Sequence, residues 1–222
     1  MKVLVFDTET TGLIPRRYTS ISENPYILQL ACILYDTKEK KILDTMNDYV
    51  RIPDNVEIPE KVTQVNHIDQ TILNEKGINI LQVLNKFTNM FDKCDLIVGH
   101  NIEFDVKMIK IEFQRNNITL SDKMIQKLYK YYCTMRSGTA VCQIECENKY
   151  GKYFKFPKLE ELYYHLFKTY PINMHDAYND IIVCLQCYMS MEHQYIVHDN
   201  TFQNNDISSN SHNVVFNTAI ST

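Results

Sequence analysis

Tryptophan is absent from this sequence, glycine and proline are scarce at five and six residues, and no apolar run approaches the ~20 residues a membrane helix requires. So little glycine and proline excludes collagen-like and low-complexity architectures. Without a long apolar run, no membrane partner is expected. The apolar stretch after Met1-Lys2 is too short for the core of a signal peptide. The expectation is a chain that stays inside the cell, in a reducing compartment. Excess positive charge is missing too: 23 Lys+Arg stand against 27 Asp+Glu, a net charge of −4. That disfavours a protein that coats polyanions through bulk charge. The distribution is uneven, however. Lys107 to Lys168 holds 12 Lys+Arg and 6 Asp+Glu, a local net of +6.

An even cysteine set is also lacking. Cys32, Cys94, Cys133, Cys142, Cys146, Cys184 and Cys187 are odd in number and scattered through apolar segments, so they read as free thiols of a reducing compartment. Cys142-x3-Cys146 and Cys184-x2-Cys187 could supply four zinc ligands, but the second pair sits within an apolar helical stretch. The length of 222 residues, 45% hydrophobic and 23% charged, fits a globular protein with one sizeable core.

Lys2–Phe6 (KVLVF) reads as a buried strand, Tyr26–Tyr35 as a second, and Lys41–Val50 as a third, nearer an edge. Pro53–Asn74 is turn-rich with one or two short helices. Ile78–Asp92 carries apolar residues at helical spacing. Asp95–Val98 reads as a strand stopped by Gly99, followed by helices over Glu103–Asn116, Leu159–Leu166 and Asp176–His193, the last capped by Asp176. From Val197 to Thr222 the composition turns to Asn and Ser. The expected domain is therefore 1–196, with 197–222 a poorly ordered tail. Three strands, then helices alternating with a strand, indicate an α/β fold with a mixed sheet.

Three segments concentrate the chemistry. In FDTETTG, Phe6 to Gly12, a strand ends in two acids two residues apart, so Asp7 and Glu9 share one face. Like charges so placed repel unless a cation lies between them. In GHNIEFD, Gly99 to Asp105, a strand runs into a helix and sets Asp105 in its first turns, at the end of the sheet where α/β folds gather functional groups. In HDAYND, His175 to Asp180, the histidine stands just before a capped helix and Asp180 just inside it. Carboxylates suit hard divalent cations. Paired cations suit phosphodiester hydrolysis, and a histidine suits proton removal from the attacking water.

These segments resemble the Exo I, Exo II and Exo III motifs of the DEDDh, or DnaQ-like, 3′→5′ exonucleases, the family of the polymerase III proofreading subunit and ribonuclease T. FDTETTG matches the first motif residue for residue, GHNIEFD the second, and His175-x4-Asp180 the mark of the DEDDh branch. The tyrosine branch would carry Tyr at position 176, where this chain has Asp. Supporting echoes are Ile27–Ala31, Cys133-Thr134-Met135 and Leu159-Glu160-Glu161-Leu162.

The resemblance implies a ribonuclease H-like fold, a central mixed five-stranded sheet flanked by helices. It implies two Mg²⁺ ions, replaceable by Mn²⁺, on Asp7, Glu9, Asp105 and Asp180, with Asp105 acting partly through water. His175 would be the general base. Thr10, Thr11, Gly12, Leu13 and Asn101 would lie against the 3′-terminal nucleotide, with Leu13 packing on its base. His100 stays open. The implied partners are single-stranded 3′ ends of DNA or RNA, with a polymerase or a second copy of the chain as further candidates. Two features depart from the family. Val65-Asn66-His67-Ile68 has Asn where relatives carry His, and the Leu13–Pro25 loop, with Arg16 and Arg17, is longer than usual. The Lys149, Lys152, Lys155 and Lys158 set, interleaved with aromatics, is a candidate strand-tracking patch. The expected reaction is stepwise release of nucleoside monophosphates, DNA slightly favoured. RNA 3′-end trimming and a catalytically silent nucleic-acid-binding module are the alternatives.

Overall fold

The computed structural model describes residues 1–17, 20–172, 174, 176–198 and 200–203. The chain opens with three strands, β1 (Lys2–Thr10), β2 (Ile27–Asp36) and β3 (Lys41–Tyr49). Short helices α1 (Glu60–Asn66) and α2 (Gln70–Lys76) lead to α3 (Ile80–Lys93), β4 (Leu96–Gly99) and α4 (Glu103–Arg115). Next come α5 (Asp122–Leu128), β5 (Tyr131–Cys133) and α6 (Thr134–Cys142), then a hairpin of β6 (Glu145–Asn148) and β7 (Gly151–Phe154). Helices α7 (Leu159–Phe167), α8 (Ala177–His193) and α9 (Asn200–Gln203) complete the described part.

The main sheet has five strands in the order β3-β2-β1-β4-β5. β1 pairs antiparallel with β2 and parallel with β4, and β4 pairs parallel with β5, so the sheet is mixed as expected. β3 and β5 are the edge strands. Alternation along β1 divides the core in two. Leu4 and Phe6 join Phe87, Phe91, Met108 and Ile109 on the side of α3 and α4. The Phe6 and Phe87 rings meet edge to face at 5.2 Å. Val3 and Val5 join Leu162, Ile181, Leu185 and Tyr188 on the side of α7 and α8. With helices on both faces, β2 is buried from Ile27 to Tyr35 and reads as one continuous apolar run.

The parallel strands β1, β4 and β5 all end at one end of the sheet, and there the functional segments converge. Gly99 closes β4 because a Cβ at that position would stand 2.5 Å from Cδ1 of the buried Ile102, which plugs the start of α4.

Cys32, Cys94, Cys133, Cys184 and Cys187 are buried, and all seven thiols are free. No helix among the described residues is long and apolar enough to cross a membrane. The chain remains packed beyond residue 196, where the sequence suggested the domain would end. Val197 and Phe202 are buried in the α8-side cluster, and Gln186 Nε2 donates to the Val197 carbonyl at 3.1 Å. Two apolar anchors thus override the Asn/Ser composition. Residues 204–222 lie outside the described part.

Phe202→Ala should accordingly cost about 3 kcal/mol, which in a chain of this size lowers the melting temperature by about 6–12 °C. Thermal denaturation followed by circular dichroism would check this. An unchanged melting temperature would place residues 197–202 off the core.

Candidate active site

Asp7 and Glu9 continue the row begun by Val3 and Val5, so they face α8, while Thr8 belongs to the opposite row and faces α4. Asp180 stands in the first turn of α8. That turn is set by Asp176, whose Oδ1 accepts from the backbone N–H groups of Tyr178 at 3.1 Å and Asn179 at 3.2 Å. The result is a compact set: carboxylate oxygens of Asp7, Glu9 and Asp180 all lie within 4.8 Å of one another. Among the described residues no other group of three or more His, Cys, Asp or Glu side chains forms a candidate metal site.

Asp105 arrives from α4, on the other side of β1, and is 3% exposed. Its Oδ1 accepts from the Thr8 backbone N–H at 3.0 Å and from Thr8 Oγ1 at 2.7 Å. Asp105 therefore stands beside the compact set rather than within it, tethered by one oxygen with the other unaccounted for by these bonds.

The electrostatics are those of crowded, buried carboxylates. Burial pushes the Asp7 carboxyl well above its ordinary range, and the charges of Asp105, Asp180 and Glu9 push it further. Glu9 is raised to about 8, chiefly by burial and then by Asp180, against the opposing pull of a hydrogen bond from the Asn66 side chain. Burial raises Asp105 to about 7 although the two Thr8 hydrogen bonds act the other way. None of the groups acting most strongly on these three is a lysine or arginine. Hard oxygen donors converging within a few ångströms fit a divalent metal such as Mg²⁺ or Mn²⁺.

The remaining expected residues fall into three groups. Leu13 projects into solvent at 86% exposure, and Thr11, Gly12 and Leu13 line a cleft of about 440 Å³ that extends to Asn24, Tyr26 and Val56. Thr10 and Thr11 spend their hydroxyls on the loop itself: Thr10 Oγ1 donates to the Gly12 carbonyl at 2.8 Å, and Thr11 Oγ1 accepts from the Tyr26 N–H at 3.0 Å. Thr11 lines the cleft wall, and Thr10 braces it through Gly12. Arg115 secures the same loop, donating to the carbonyls of Asn24 and Pro25 at 2.9 Å each while stacked on Tyr26. Asn101 is exposed, in a left-handed conformation (φ 61°) between β4 and α4. His175 lies outside the described residues.

His100 resolves as structural. Its Nδ1 is 3.0 Å from Thr134 Oγ1 and its Nε2 3.1 Å from the Pro157 carbonyl, and burial pushes its pKa down to about 4. The lysine patch sits on and after the β6–β7 hairpin, where Lys152, Lys155 and Lys158 pair with Glu145, Glu161 and Glu160. Asn66 matters more than the sequence suggests. It is 6% exposed, accepts from the Ile68 N–H through Oδ1 at 3.0 Å, and hydrogen-bonds Glu9. Its only visible signal was the departure from the family pattern.

A mixed five-stranded sheet with helices on both faces and an acidic cluster at the end of its central strand defines the nuclease class of ribonuclease H-like folds. Comparison with known proteins agrees. The exonuclease family model (RNase_T) matches residues 4–188. The chain is 30% identical over 125 residues to the PolC-type DNA polymerase III of Caldanaerobacter subterraneus, and 29% identical over 126 residues to that of Mycoplasma genitalium. Each match covers 56% of this chain and 8% of the relative, so the chain spans under a tenth of those proteins. The fold resembles E. coli exonuclease I in complex with a dA16 oligonucleotide (TM-score 0.64, 20% identity, 91% of this chain and 42% of that one). It equally resembles the nuclease domain of 3′hExo, a DEDDh family member (TM-score 0.64, 15% identity, 88% and 94%). The chain belongs to the exonuclease family that the RNase_T model describes.

A carboxyl whose pKa is higher in the folded than in the unfolded chain binds more protons when folded, so stability is lost as pH rises between the two values. For Glu9 that window runs from about 4.5 to about 8, and for Asp105 from about 3.8 to about 7. In EDTA, Asp7→Asn should remove part of this repulsion and melt about 2–4 °C above wild type at pH 8, a gain of roughly 1 kcal/mol. The two curves should converge only below about pH 4, where the Asp7 carboxyl is protonated in the unfolded chain as well. A variant melting below wild type at pH 8 would contradict the repulsion.

Proposed function

We propose that this chain removes nucleoside monophosphates stepwise from the 3′ end of single-stranded nucleic acid, with DNA slightly favoured over RNA and two divalent cations required. The observation that carries this reading is the convergence of Asp7, Glu9 and Asp180 oxygens within 4.8 Å in a member of the exonuclease family.

Asp7, Glu9 and Asp180 would hold the cations, and Asp105, tethered through Thr8, would complete their surroundings through its second oxygen. Bound there, the ions would supply charge neutralisation at the phosphoryl oxygens and acidify a water. Asn66 orients Glu9 by donating a hydrogen bond to it. Leu13 offers the terminal base an apolar surface at the mouth of the cleft. His175, next in sequence to the helix cap Asp176, accepts the proton of the attacking water. Its unperturbed pKa of about 6.5 suits that exchange near neutrality. The preference for DNA rests on the two relatives near 30% identity, both DNA polymerases. The same match supports a polymerase as partner.

Digestion of 3′- and 5′-labelled single-stranded DNA and RNA, in Mg²⁺, Mn²⁺ or EDTA, tests the proposal. Wild type should shorten strands from the 3′ end with either metal and stop in EDTA. Asp7→Ala and His175→Ala should each lower kcat by on the order of 10²–10⁴-fold, the range for losing a general base or a metal ligand. Undiminished cleavage in EDTA would refute metal dependence, shortening from the 5′ end would refute the polarity, and faster RNA turnover would reverse the substrate preference.

A further inference from the structure

We propose that Gln29 is a positioning residue of the carboxylate site: it ties the first turn of α8 to the sheet and thereby brings Asp180 up to Asp7 and Glu9. The inference rests on the exonuclease reading for its catalytic consequence and on hydrogen-bond geometry for its existence.

Gln29 is the one residue between Ile27 and Tyr35 with a polar amide side chain, and it is fully buried. In the β1–β2 register it lies directly opposite Glu9, so the two side chains emerge on the same face of the sheet. There its amide is almost fully used. Nε2 donates to Asp176 Oδ2 at 3.0 Å and to Asn47 Oδ1 at 2.8 Å, while Oε1 accepts from the Ala177 N–H at 3.3 Å. Asp176 in turn caps α8 with its other oxygen. An unbroken series of bonds therefore runs from Asn47 on β3, through Gln29 on β2, to the cap and first turn of the helix that carries Asp180.

The donor pattern explains why this position needs an amide. Asp176 presents an acceptor and the Ala177 N–H a donor, and only a group with both answers them together. A carboxylate at position 29 would set acceptor against acceptor beside Asp176 and add a like charge beside Glu9. The mismatch is reciprocal: moving the carboxylate from position 176 to position 29 conserves net charge and restores a donor to face an acceptor. In that exchanged pair the asparagine would still cap α8 with its oxygen, and its amide would donate to the glutamate carboxylate on β2.

The test compares wild type, Gln29→Glu, Gln29→Met and the double variant Gln29→Glu/Asp176→Asn. Each is confirmed folded by circular dichroism at the assay temperature. Two quantities are read: steady-state kinetics on a labelled single-stranded oligonucleotide, and binding of Mn²⁺ alone, followed by the electron paramagnetic resonance signal of the free ion. Gln29→Glu and Gln29→Met should lower kcat by on the order of 10–100-fold with KM within about two-fold, and weaken Mn²⁺ binding by a similar factor. The double variant should recover both to within about three-fold of wild type. Gln29→Met decides the matter if the buried charge of Gln29→Glu prevents folding. Wild-type kcat and Mn²⁺ affinity in the folded Gln29 variants would overturn the proposal, as would a double variant no better than Gln29→Glu. Should wild type bind Mn²⁺ yet degrade no strand, the nuclease reading fails, and the Mn²⁺ affinities alone still decide the role of Gln29.

Discussion

Mutual repulsion among buried carboxylates is the constraint around which this structure is arranged. Asp7, Glu9 and Asp180 meet within 4.8 Å at the end of the central strand, and Asp105 adds a fourth negative group against Asp7. Nothing in folding favours that crowding, since burial and like charge both act against the ionised forms. The arrangement persists because the two apolar clusters on either side of β1 over-determine where each acid falls. Val3 and Val5 fix the face shown by Asp7 and Glu9, and Ile181 and Leu185 lock α8 onto that same face. Stability provided by the core offsets strain held at the site.

The supports around the acids follow one pattern. Thr8 holds Asp105, Asn66 holds Glu9, and Gln29 holds the cap residue Asp176. Each is a neutral side chain with a small number of fixed bonds, and each comes from a different element. Because these supports are themselves buried, their rotamers are set by packing, and the carboxylates inherit that precision.

Where residue chemistry and local period coincide, the sequence was readable. Period-two alternation placed Asp7 and Glu9 on one face, and the capping residue Asp176 marked the start of α8. The mixed sheet followed from the order of apolar runs, its fifth strand only from the family resemblance, and Asp105 from its place at the end of β4. Features without an apolar period were not legible. The β6–β7 hairpin is exposed at most positions, and its clearest local sign is Gly151 at φ 116° after an Asn148 turn. Helix α6 carries Gly138 and several β-branched or hydroxyl side chains, a composition with little helical preference. Val197 and Phe202 were hidden in a polar stretch because burial of two residues leaves no pattern. Asn66 and Gln29 differ again. Both types are visible in the chain, and a lone amide inside the apolar run ILQLA is a sign that something must satisfy it. What satisfies it depends on contacts up to 148 positions away, which no local pattern contains.

The neutrality of the supports has a chemical consequence. A lysine or arginine placed among these acids would quench their repulsion permanently and would add stability to the metal-free chain. It would also occupy the position a divalent ion needs, and its charge could not be removed or exchanged. Thr8, Asn66 and Gln29 orient the carboxylates without neutralising them, so the unbalanced charge remains available to an exchangeable cation. That charge is also the reason a polyanionic strand would be repelled from the bare site. If a cation binds there, its binding and the approach of a phosphodiester would be linked events.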